Sequence, residues 1–160
     1  MKRLSIVLFA VFALTLSGFA KQAKSAPAPK KATGGPDAAY LQKIWDGWGT
    51  MNTANVSGFY NQTPDHTFFD IAPLKYNNWQ EYEAGVKNLF ADMKSAKFTV
   101  NDDVKVHHDG NMAWATATVK NEFVTKKDKR EMGNFRWTAI FEKSGDKWLI
   151  VHDHTSVPMQ

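Results

Sequence analysis

The chain has no cysteine among its 160 residues, so no disulfide braces it and no cysteine-based zinc cluster can form. It also lacks a glycine-rich phosphate loop and a nucleophile elbow, which removes two common catalytic signatures. No internal repeat and no second domain is visible at this length. The longest apolar run, Leu4 to Leu16, is too short for a comfortable membrane span. Stability must come from an ordinary core, and the material for one is present. Six Trp, eleven Phe and four Tyr supply large rings that fill cores and line cavities.

The Leu4–Leu16 run follows a basic start at Lys2 and Arg3 and leads to small residues at Gly18 and Ala20. That order predicts a signal peptide over residues 1–20, cleaved after Ala20, with an uncleaved anchor as the rival reading. No cysteine follows it, so a lipoprotein anchor is excluded. The expected location is periplasmic or extracellular, with no stable membrane anchor after cleavage. Residues 21–36, rich in Ala, Pro and Lys, have little to bury and read as a flexible linker. The formal charge of +4 falls to +2 without Lys2 and Arg3, and four further lysines sit in the linker. The folded part is close to neutral or slightly acidic, which argues against nucleic acid as a partner.

From Asp37 onward the pattern is clearer. Asp37 can cap a helix from Ala38 toward Asn52, with Leu41, Ile44, Trp45 and Trp48 on one stripe. Residues 55–60 read as a loop or short helix, and Asp65 to Ile71 as a short strand between prolines. Asn77 or Asn78 opens a second helix bearing Trp79, Tyr82, Val86, Leu89 and Phe90. The period then changes to two. Strands are expected over Lys97–Val106, Met112–Val124, Gly133–Lys143 and Lys147–Ser156, joined by hairpin turns at Asp109-Gly110, 126–130 and 144–146. Helices first and an antiparallel meander after them make an α+β fold.

Residues 37–160 resemble the SnoaL-like branch of the nuclear transport factor 2-like superfamily. The matching pieces are Gly58-Phe59-Tyr60, Phe68-Phe69-Asp70-Ile71-Ala72-Pro73, the helix opened by Trp79, and Gly110-Asn111-Met112-Ala113-Trp114-Ala115. The clearest runs from Arg136 through Lys143, then Gly145 through His152, then His154, Ser156 and Pro158. The resemblance implies a cone-shaped fold: a curved antiparallel sheet with the N-terminal helices packed on its concave face, a pocket between them, and commonly a homodimer. The family's roles range from isomerases and dehydratases to oligomerisation modules, so one fold does not fix one reaction.

The last strand carries the densest set of reactive groups. Strict alternation puts Trp148, Ile150, His152, His154 and Ser156 on one face, and Leu149, Val151, Asp153 and Thr155 on the other. His152 and His154 then read as an acid/base pair, as two ligands of a metal site lacking a fixed third, or as core and edge histidines. Metal is the weakest of these, and no metal or cofactor is assigned. Asp70, set between Phe69 and Ile71, reads as a carboxyl in an apolar cavity or as a turn residue. Arg136 on a mostly apolar strand reads as an anchor for a carboxylate ligand or as half of an ion pair with Asp70 or Asp153. Trp48, Tyr60, Trp79 and Trp114 are candidate pocket walls. The leading expectation is an exported domain that binds a small, partly apolar, anionic molecule. The alternatives are a cofactor-free isomerase, dehydratase or hydrolase using His152, His154 and Asp70, and a non-catalytic oligomerisation module.

Overall fold

A computed structural model describes residues 34–159. The expected signal peptide, and the expected linker up to residue 33, lie outside the described residues.

Helix α1 spans Ala38–Gly49, and the Asp37 carboxylate accepts the Tyr40 N–H at its start (2.8 Å). Its buried stripe includes Leu41, Ile44, Trp45 and Trp48, as the spacing predicts. Two short 3₁₀ turns follow, Thr53–Asn55 and Ser57–Phe59. Helix α2 spans Trp79–Phe90 with Asn78 as its cap and Trp79, Tyr82, Val86 and Phe90 buried. Both helices lay their apolar faces on the sheet that follows.

The sheet is curved, unclosed and antiparallel, with five strands: β1 Met93–Val100, β2 Lys105–Asp109, β3 Met112–Thr125, β4 Arg130–Ser144 and β5 Lys147–Ser156. Together with the helices it makes the expected α+β cone. The expected single strand over Lys97–Val106 is in fact two, both paired with β3. The break comes from polar side chains that take over the ladder. Asp103 accepts from both the backbone N–H and the hydroxyl of Thr118 (2.9 Å each), so residues 101–104 leave the strand. The stretch over 65–71 forms only isolated bridges, Phe68 to Tyr76 and Phe69 to His154, instead of a strand. The tight turns after β2 and β4 use Gly110 and Gly145 at φ near +60°, which favours glycine.

The linker expectation needs one correction. Its last three residues are packed on the domain. Pro36 is buried, the Trp148 indole donates to the Gly34 carbonyl (2.9 Å), and a Cβ on Gly35 would overlap the His108 ring.

Candidate functional site

Strand β5 is not regular, and that decides the site. Ile140 pairs with His152, but its neighbour Phe141 pairs with Ile150, so Val151 is an extra residue in a β-bulge. A one-residue slip exchanges the two faces of a strand. Before the bulge Trp148 and Ile150 point inward; after it Asp153 and Thr155 do. His152 and His154 are turned to the outer face with Thr138 and Ile140, the reverse of the alternation expected from sequence.

Asp153 is therefore a core carboxyl, 1% exposed. Its Oδ2 accepts the Tyr60 hydroxyl (2.8 Å) and the Trp137 indole N–H (3.3 Å). Trp48 in turn donates its indole N–H to the Tyr60 oxygen (3.2 Å). Oδ1 of Asp153 has no partner among the described residues. Burial pushes the Asp153 carboxyl up to about 7, against the lowering effect of the Tyr60 and Trp137 hydrogen bonds and with a smaller push from the Asp70 charge. With both donors on Oδ2, the proton of the neutral acid belongs on Oδ1. The Tyr60 phenol is held well above its usual range, first by burial and then by the Asp153 charge, so it remains a neutral donor.

In front of this buried layer lies a cavity of about 480 Å³. Trp45 and Trp48 of α1, Tyr82, Val86 and Leu89 of α2, and Phe98, Phe123 and Phe135 of the sheet form its apolar wall. Asn121 and Thr155 contribute buried polar side chains, and Asn121 Oδ1 has no partner among the described residues. Asp70 also lines the cavity, half-buried. Its Oδ1 accepts the Ile71 N–H (2.7 Å), and burial pushes its carboxyl up despite that bond. No group of three or more metal-ligating side chains occurs among the described residues.

The residues singled out in the sequence divide accordingly. Asp70 and Trp48 line the cavity. Tyr60 and Trp79 are buried one layer behind, their rings stacked at 4.5 Å. Trp114 is 42% exposed on the outer face, stacked on His107 at 5.1 Å. Arg136 is exposed on the same face and donates to the Val157 carbonyl (2.7 Å), so it does not reach the cavity. His152 donates through Nδ1 to the Thr67 carbonyl (2.7 Å), and both His152 and His154 stand edge-on to Phe69. Reading the sequence overlooked Asp153, Asn121 and Thr155 as site residues. Leu149 and Val151 are as apolar as Trp148 and Ile150, so hydrophobicity gave no sign of where the strand slips.

Solved structures share this architecture at low identity. A nuclear transport factor 2-like superfamily protein from Salmonella enterica aligns at TM-score 0.70 and 14% identity, covering 77% of this chain and 89% of its own. A protein from Streptomyces avermitilis, proposed to be a dehydratase of the same family, aligns at TM-score 0.65 and 15% identity, covering 77% and 95%. An NTF2-like protein of unknown function from Pseudomonas putida aligns at TM-score 0.59 and 20% identity, covering 75% and 82%. Among curated proteins none matches the sequence. The family model of the SnoaL-like domain matches residues 39–160, and the chain belongs to that family.

Proposed function

We propose that this protein is an exported binding domain for a small, largely apolar molecule held in the cavity between the helices and the sheet. The observation that carries the reading is the cavity itself, about 480 Å³ with aromatic and aliphatic walls and a few polar groups. That volume and lining are usual for small-molecule sites. The expectation of an anionic ligand is revised. Arg136 points away, and among the described lining residues there is no Lys, Arg or His, while Asp70 and Glu131 are present. A carboxylate guest would meet like charge, so an uncharged or positively charged one fits better. The test is a thermal-shift titration with 2-phenylethanol. A saturable rise in Tm that disappears in Leu89→Trp, which enlarges a half-exposed side chain of the cavity lining, supports the reading. Equal binding by that variant would place the ligand elsewhere and overturn it.

A second reading is cofactor-free acid/base catalysis in the same cavity, favoured by two carboxyls with raised proton affinity. Asp70 is the group that can touch a substrate, and Asp153 sits behind it as a proton-holding residue. The outward turn of His152 and His154 moves the acid/base role to these carboxyls. Deuterium exchange into phenylacetone, followed by NMR in D2O, tests it: a rate unchanged by Asp70→Asn would end this reading.

Export rests on residues 1–20, and N-terminal sequencing of the mature protein should begin at Lys21. Homodimerisation is supported by the outer sheet face, where Trp114 and Met112 are 42% and 39% exposed. Light scattering that returns the monomer mass at micromolar concentration would remove it.

A further inference from the structure

We propose that the cavity selects an organic ammonium: a ring-bearing body against the aromatic walls, with its charged nitrogen at Asp70. This rests on the reading of the cavity as a binding site and goes further by fixing the charge of the ligand.

Two observations converge. The first is that Asp70 makes no ion pair, although Lys75 and His154 line a second hollow that it also borders. None of the ion pairs among the described residues involves Asp70, and its only hydrogen bond is the Ile71 N–H on Oδ1. The other lining carboxylate, Glu131, already holds Lys129 (2.6 Å). A half-buried carboxylate without a partner is an unfavourable arrangement unless something bound supplies the charge.

The second is the wall itself. Trp45, Trp48, Tyr82 and Phe98 bring ring surfaces to one cavity, and aromatic faces attract cations, most strongly where water is excluded. An anion gains nothing from those faces.

The wall's buried polar atoms without a partner among the described residues, Trp45 Nε1 and Asn121 Oδ1, are sealed from the cavity and select nothing. The unpaired Asp70 and the ring faces both favour a positively charged guest. Asp153 behind the wall adds to the same preference whenever it is ionised.

The experiment uses three matched probes on the full chain at low ionic strength: 2-phenylethylamine, 2-phenylethanol and 3-phenylpropionate, titrated by calorimetry. The amine should bind about tenfold or more tighter than the alcohol, and the carboxylate weakest. Asp70→Asn should remove the advantage of the amine over the alcohol. Equal binding of amine and alcohol, or preference for the carboxylate, overturns the ammonium assignment and leaves the binding reading standing. No binding of any probe overturns both.

Discussion

The Tyr60 hydroxyl donates to Oδ2 of Asp153 across 2.8 Å, joining the end of a 3₁₀ turn to the middle of the last strand. The contact exists because the bulge at Val151 turns Asp153 into the core. Removing the donor in Tyr60→Phe leaves Asp153 with Trp137 alone. Loss of one partner from a buried acceptor costs about 1–3 kcal/mol, which urea denaturation would read. Because the bond lowers the proton affinity of Asp153, that carboxyl should titrate at higher pH in Tyr60→Phe, visible by carbon NMR of labelled aspartate. An unchanged Asp153 titration would mean that the bond is not formed in solution.

Asp153 also sets the pH dependence of stability. Its carboxyl is raised from 3.8 to about 7 in the folded protein, so between those values the folded chain holds a proton that the unfolded chain has released. The stability this contributes is complete below about pH 4 and is lost as pH rises through about 7. The span corresponds to on the order of 4 kcal/mol. Asp70 is raised as well and acts with the same sign. In Asp153→Asn the amide oxygen can still accept from Tyr60 and Trp137, but the titration is gone. That variant should be more stable than the parent at pH 8, with a flatter profile from pH 4 to 8, the residual slope belonging to Asp70. A parent whose stability rises with pH across this window would contradict the assignment.

The helical half of the fold was legible because its signals are local. Asp37 and Asn78 are caps written in single residues, and Leu41, Ile44, Trp45 and Trp48 repeat at helical spacing. The strands after them were legible from alternation and the glycine turns. The break at residues 101–104 was not, because it depends on Asp103 finding Thr118 across the sheet. For β4 the partition of faces was readable, with Arg136, Thr138 and Ile140 opposite Phe135, Trp137 and Phe141. Which side of β5 met the interior was not. A bulge is set by how two strands fit across a curved sheet, and the residues around Val151 are apolar on both faces. Asp70 and Trp48 line the cavity; Arg136 faces outward by the regular alternation of β4, and the histidines are turned outward by the bulge in β5.

Trp79 and Trp114 look alike in sequence and should behave in opposite ways. Trp79 is 2% exposed, stacked on Tyr60 and packed near Trp48 and Tyr82. Trp79→Ala empties a large core volume and should cost about 3–5 kcal/mol, close to the whole stability of many small domains. Trp114 stacks on His107 at the surface, and Trp114→Ala should change the stability of the isolated subunit by about 1 kcal/mol or less. Thermal unfolding at low protein concentration separates the two. A large loss for Trp114 there would show that the outer face is covered by more than His107.

The strap at Gly34–Pro36 offers a test that needs no ligand. The Trp148 indole holds the Gly34 carbonyl, Tyr40 donates to the Trp148 carbonyl (2.5 Å), and His108 lies over Gly35 edge-on to Trp148. Gly35→Ala puts a methyl where the His108 ring sits, so either the ring or the strap must move. The expected cost is about 1–3 kcal/mol, the usual range for overpacking. His108 is exposed, and truncating it removes the obstacle. The double variant Gly35→Ala with His108→Ala should therefore be more stable than the sum of the single effects requires, a coupling that chemical denaturation of all four proteins measures directly. A protein shortened to begin at Asp37 should lose stability by a similar amount, because Pro36 leaves the core and Trp148 loses its acceptor. Additive single effects, or a shortened chain as stable as the parent, would show that these three residues belong to the linker after all.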